Sequence, residues 1–169
     1  MSVTAVVKDP ELLTMTVTAE YDVTAERAWE LWGDPRQLER WWGPPTFPAT
    51  FVDHDLVAGG RATYFMTSPE GERFPGYWDV LESEPPRHLV VHDGFLRDDG
   101  TPNDDLPRTV MTVDIVDRPG GVVCTVSSRF ASAEAMETLL QMGMEEGLRL
   151  AMGQIDSVLA CPDGSVGPS

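Results

Sequence analysis

At 169 residues the chain has room for one domain with a sizeable core rather than two. Its 28 acidic against 12 basic side chains give a formal charge of −16, a surface that repels phosphate backbones and anionic headgroups and so argues against nucleic acid as a partner. No stretch approaches the roughly 18 uninterrupted apolar residues of a membrane span, and no basic segment leads into an apolar core at the N-terminus; the expectation is a cytoplasmic protein without membrane insertion.

Residues 1–10 carry no clear periodicity and are read as a flexible N-terminus ahead of a single domain over 11–160. From Leu12 to Asp22, Thr14, Thr16, Thr18 and Glu20 alternate with Met15, Val17, Ala19 and Tyr21, the period of a half-buried strand. Thr24 then caps a short helix from Ala25 to about Gly33. Asp34 and Pro35 start a second short helix through Trp42, which Gly43-Pro44-Pro45 stops.

Beyond Phe47 the pattern predicts strands over Thr50–Asp55, Arg61–Thr67, Gly76–Glu82, His88–Phe95, Val110–Val116 and Val122–Phe130. Their separators, among them Gly59-Gly60, Pro85-Pro86 and Pro119-Gly120-Gly121, are turn chemistry that favours antiparallel hairpins. Only the polar segment Arg97 to Arg108 is a long loop, able to serve as a connector or to gate a cavity mouth.

Ala135 to Ala160 reads as one long amphipathic helix, although Gly143, Gly147 and Gly153 each cost about 1 kcal/mol there relative to alanine. At about 100° per residue, Met136, Leu140, Gly143, Met144, Gly147, Ala151, Gln154, Ile155 and Val158 share one stripe. Glycine on the buried face permits either close backbone packing or a vacant wall. The predicted fold is α+β: seven antiparallel strands curved around the long terminal helix, two short helices after the first strand, and a disordered tail over 161–169. Cys124 and Cys161 lack metal or redox spacing and are read as reduced thiols.

Alternation nominates the sheet face that looks at the helix, and its members are aromatic or aliphatic in the main. The candidate ligand contacts on it are Tyr64, Met66, Trp78, Val91, Asp93 and Phe95, then Met111, Val113, Ser128 and Phe130. The helix would add Met136, Leu140, Gly143, Met144 and Gly147, and Trp42 stands where it could line an entrance. Such a wall suits a hydrophobic ligand held by few polar contacts, or an ordinary filled core. Asp93 is the sharpest exception: it points inward from a strand otherwise made of Leu89, Val91 and Phe95, unless a bulge exposes it. His54 and His92 have no second histidine at metal-ligand spacing, and the chain carries no nucleophile elbow or phosphate-binding loop, so neither metal nor cofactor is expected.

Three segments carry a resemblance. They are Leu38-Glu39-Arg40-Trp41-Trp42-Gly43-Pro44; Phe74-Pro75-Gly76-Tyr77-Trp78-Asp79-Val80 with Pro85-Pro86-Arg87-His88-Leu89-Val90; and Ser132-Ala133-Glu134-Ala135-Met136 with the Leu140 to Gly147 run. In this order they resemble the START-like (SRPBCC) helix-grip superfamily, in the branch of activators of the heat-shock-protein-ninety ATPase. The resemblance implies an apolar cavity between sheet and terminal helix, and a residue near Asp93 that is commonly aromatic in relatives. Superfamily members include lipid and hormone carriers, polyketide aromatases and cyclases, co-chaperones, and resistance proteins that guard against antibiotics, so the site must decide among them.

The reading that follows is a monomer or homodimer that binds a small lipid-like or polycyclic aromatic molecule without turning it over. Its alternatives are a cyclase-like enzyme, with Asp93, Tyr64 or a histidine as acid or base, an antibiotic-sequestering protein, and a chaperone ATPase activator.

Overall fold

The computed structural model describes residues 3–160. The chain lays down eight strands: β1 Val3–Asp9, β2 Thr14–Tyr21, β3 Ala49–His54, β4 Arg61–Thr67, β5 Arg73–Glu84, β6 His88–Phe95, β7 Thr109–Arg118 and β8 Gly121–Arg129. They form one antiparallel sheet in the order β1-β2-β8-β7-β6-β5-β4-β3. The register shifts between Val3 and Ala5, between Phe51 and Asp53 and between Val80 and Glu82, irregularities of the kind that bend and twist a sheet.

The count of eight corrects the expected seven, and β1 corrects the expected flexible start. Val3 to Asp9 forms an edge strand on β2, held by the ladder from Val3 opposite Ala19 to Asp9 opposite Thr14. Only Val3 and Val6 pack partly on the core, which is why a hydrophobicity pattern misses the strand. The proposed tail over 161–169, with Cys161, lies outside the described residues.

Helix α1, Ala25–Gly33, begins where the Thr24 hydroxyl accepts the Arg27 amide at 3.1 Å. Helix α2, Pro35–Leu38, is capped by Asp34 and gives way to turns before Trp42, four residues shorter than expected. The turn leaving it needs Gly43, since a Cβ there would run into the Phe47 carbonyl.

The long terminal helix is the larger correction. It is three helices, α3 Ala133–Gln141, α4 Met144–Met152 and α5 Ile155–Ala160. Gly143 breaks the first junction with φ +91°, a left-handed conformation that glycine adopts cheaply. Gly153 ends α4. Apolar periodicity carries across both junctions because each is only a residue or two long, and Met136, Leu139, Ala151, Met152, Ile155 and Val158 are buried on either side of them.

Gln154, between α4 and α5, donates to the carbonyl oxygens of Gly43 at 2.6 Å and Trp41 at 3.3 Å, so the C-terminal helices are tied to the turn after α2. Arg27 donates to Gln37 at 2.7 Å and to the Val158 carbonyl at 3.5 Å, which adds α1 and α5 to the same knot. On the other side of α4, Lys8 pairs with Glu145 at 2.7 Å. The helices thereby bridge from the β1 edge to the tryptophan-bearing turn.

The glycines of this segment differ physically, and substitution separates them. Gly143→Ala should lower stability by about 1–2 kcal/mol through backbone strain alone, since no atom lies within 4 Å of the added methyl. Gly147→Ala, inside α4, should raise it by up to about 1 kcal/mol, because the added carbon meets only Pro44 Cγ, at 3.9 Å. Urea denaturation of the two variants checks both signs.

Candidate functional site

Asp93 sits on the inward face of β6, as its alternation with Leu89, Val91 and Phe95 requires. Its cross-strand neighbours are Trp78 on β5 and Thr109 on β7. One strand further out, Tyr64 on β4 lies opposite Gly76, where any Cβ would meet the Tyr64 ring end at 2.6 Å. The missing side chain of Gly76 therefore lets the phenol lie across β5 and donate its O–H to Asp93 Oδ1 at 3.2 Å. The Trp78 indole N–H approaches the same carboxyl, and the Trp42 indole N–H approaches the Tyr64 oxygen. Both N–H groups are buried and without a partner in hydrogen-bond geometry.

Rings surround this polar corner. Trp42 and Trp78 meet edge to face with centroids 5.0 Å apart, and Tyr64 stands 6.1 Å from Trp42 and 6.2 Å from Trp78. Phe51 backs Tyr64 at 5.0 Å. Burial pushes the Asp93 carboxyl up to about 7, against the pull of the Tyr64 and Trp78 donors, which favour the charged form. Burial, then the neighbouring Asp93 charge, raises the Tyr64 hydroxyl well above its ordinary value, so it remains a donor at neutral pH. The pair thus offers one carboxyl that exchanges its proton near neutrality beside one fixed O–H.

The other nominated residues divide into three groups. Val91, Met111, Val113, Ser128 and Phe130 are buried on the same sheet face, with Ser128 between Met15 and Met111. They build the filled middle of the core. Met66 and Phe95 from the sheet, and Leu140 and Met144 from the helices, pack on that core while remaining half-buried; Met136 is buried. Gly143 is exposed at the helix break and lines nothing, a correction that follows from its left-handed φ, while Gly147 faces Pro44.

The Trp32 end is solid: Trp41 lies 4.7 Å from Trp32 and donates its indole N–H to the Leu31 carbonyl at 2.9 Å, and Trp78 lies 6.0 Å from Trp32. Two open clefts occur elsewhere, of about 640 Å³ between the β1–β2 hairpin and α3 and about 550 Å³ between β1 and α4. The first is lined in part by Met136 and Leu140, and neither includes Asp93.

The histidines fall outside the corner. His54 Nε2 contacts the Trp32 carbonyl at 2.9 Å, a tie between β3 and α1. His92 alternates with Asp93 and so points to the other sheet face. His88 bonds Asp114 at 2.7 Å and Glu82 at 3.2 Å; these carboxylates raise its proton affinity, and together with Glu84 it forms an acidic cluster on the β5–β6 hairpin. Burial pushes the Cys124 thiol up to about 12, which removes it as a nucleophile. Sequence reasoning missed Thr109 and the clearing role of Gly76. An invariant two-residue alternation across paired strands would have reached Thr109; nothing short of the strand register signals Gly76.

A family profile described as Activator of Hsp90 ATPase homolog 1-like protein matches residues 22–160, and the chain belongs to that family. The crystal structure of protein Ms6760 from Mycobacterium smegmatis is 46% identical, with a TM-score of 0.86 over 93% of this chain and 96% of that one. A solution structure of a protein from Arthrobacter aurescens is likewise 46% identical, with a TM-score of 0.90 over 94% of this chain and 92% of its own. The AHSA1 protein from Silicibacter pomeroyi, 20% identical with a TM-score of 0.71 over 88% of this chain and 99% of its own, shares the fold. No curated protein matches.

Titration of Asp93 has a definite sign. The folded state holds this proton to about pH 7, whereas an unfolded aspartate releases it near 3.9, so the native state binds more protons in between. Stability contributed by the site is complete below about pH 4 and is lost as pH rises through 7, by on the order of 2–4 kcal/mol. Asp93→Asn should abolish that slope and be the more stable protein at pH 8. Parallel stability curves for the two proteins between pH 4 and 8 would contradict the assignment.

Proposed function

We propose that this member of the Activator of Hsp90 ATPase homolog 1-like family binds a small hydrophobic molecule between the concave sheet face and helices α3 and α4, with Asp93 and Tyr64 as its polar anchor. The observation that carries this reading is the unsatisfied polar corner. Two buried indole N–H groups lack partners, and a carboxyl sits among rings on a face that otherwise buries hydrocarbon. Buried polar groups are ordinarily paired, and leaving one unpaired costs on the order of 1–3 kcal/mol. The Tyr21 hydroxyl is unpaired as well, away from this corner, so what sets the corner apart is a buried carboxyl acted on by Tyr64 and Trp78 with no cation beside it, a balance that a bound ligand would complete. On this reading the half-buried Met66, Phe95, Leu140 and Met144, which pack on the core, would supply adaptable apolar contact to the ligand's hydrocarbon.

A second reading has one observation in its favour. A carboxyl titrating near 7 beside a phenol is a competent acid or base, which suits a cyclisation or dehydration of a bound substrate of the kind polyketide cyclases perform. Sequestration of an antibiotic would be a particular case of binding without turnover. No observation at this site favours an ATPase activator over a ligand carrier.

Native mass spectrometry of protein purified from its own host, followed by thermal denaturation with the candidates it retains, tests the proposal. A molecule present at about 100 times its Kd should add about 2.7 kcal/mol and raise Tm by roughly 5–10 °C, with no product formed. Leu140→Trp should fold but lose the retained mass. Failure of every apolar candidate to bind or stabilise contradicts the reading, and conversion of one into product, lost in Asp93→Asn, replaces it with the enzyme.

A further inference from the structure

On the footing of that binding role, we propose that the molecule held here is a hydrophobic amine whose protonated nitrogen seats against the Asp93 carboxylate, beside the rings of Trp42, Tyr64 and Trp78. The charge balance of the corner is the first reason. Asp93 is flanked on its own face by Val91 and Phe95 and is paired across the sheet with Trp78 and Thr109. The groups that act on it are the Tyr64 hydroxyl and the Trp78 indole; among the described residues no lysine or arginine contributes. A carboxylate inside a protein ordinarily has a cationic partner or a metal. Here the chain supplies donors that favour the anion and leaves out the counter-charge.

The rings are the second reason. Trp42, Tyr64 and Trp78 lie within 6.2 Å of one another and wall the carboxylate off from water, so an opposite charge brought against it is weakly screened. Tyr64 already spends its proton on Asp93 Oδ1, so the anchor faces the ligand as an acceptor. The third reason is access and long-range field. Asp93 keeps some accessible surface, as does Phe95 two residues along the same face of β6. A chain of net charge −16 concentrates cations near such an opening and repels carboxylates. A fatty acid would bring a second negative charge to Asp93, and a neutral alcohol would leave it without a counter-ion.

The test is a matched set of probes, 2-naphthylmethylamine, 2-naphthylmethanol and 2-naphthoate, with decylamine, decanol and decanoate as the aliphatic counterparts. Each is titrated calorimetrically into the wild-type protein and into Asp93→Asn. The amine should bind at least tenfold more tightly than the alcohol, and the carboxylate most weakly. In Asp93→Asn, with folding confirmed by circular dichroism, the amine should lose tenfold or more while the alcohol changes by less than threefold. The wild-type ranking needs no variant, so a poorly folded Asp93→Asn does not spare the proposal. Equal binding of amine and alcohol, or an amine preference that survives Asp93→Asn, overturns the amine assignment and leaves hydrophobic binding standing. Silence from all six probes counts against the binding reading itself, and the amine falls with it.

Discussion

Trp78 ties the fold to the site. It is fully buried in the middle of β5, and its ring meets Trp32 from α1, Trp42 from the turn after α2, Phe51 from β3 and Tyr64 from β4. Burying rings of this size contributes several kcal/mol of hydrophobic and edge-to-face stabilisation, on the order of 2–3 kcal/mol for one large side chain with up to about 1.5 more per ring pair. The same residue stands opposite Asp93 across the β5–β6 pairing. A position in the sheet that gathers the short helices onto the core also supplies one wall of the polar corner and one of its unpaired donors.

The terminal helices follow a different logic. Their contribution is a cover held at two margins, by Gln154 on the Trp41–Gly43 backbone and by Lys8 with Glu145 on the β1 edge. The Gln154 bonds are partly buried, whereas the Lys8–Glu145 ion pair is exposed and worth at most about 1 kcal/mol. Between those margins the chain breaks at Gly143 and Gly153 into three short helices, each with residues buried on the core. Breaks of this kind leave Leu140 and Met144 half-buried on either side of Gly143, on the cover of the proposed site.

Much of this was legible in the amino-acid order, for identifiable reasons. Two-residue alternation in β2 and β4 through β8 placed Tyr64, Trp78 and Asp93 on one face, and hairpin turns made those strands neighbours. The contact between Tyr64 and Asp93 was not legible, because it spans β5 and exists only where Gly76 clears the way. The first strand stayed hidden for want of buried residues, and the helix breaks stayed hidden because a moment at a fixed angle per residue ignores φ. Glycine in an apolar stripe is compatible with close backbone packing or a vacant wall; Gly143 is neither, being a break in the backbone with open space beside it, and Gly147 faces Pro44.

The central claim is that a small molecule completes the Asp93 corner, and the chain's five tryptophans carry the reporters for it. Indole N–H resonances in an ¹⁵N-labelled sample, followed as 2-naphthylmethylamine is added, test it most directly. The account predicts that the Trp42 and Trp78 resonances move together and saturate, while Trp41, already bonded to the Leu31 carbonyl, stays in place. Unmoved Trp42 and Trp78 signals, with shifts confined to the clefts beside β1, would contradict it.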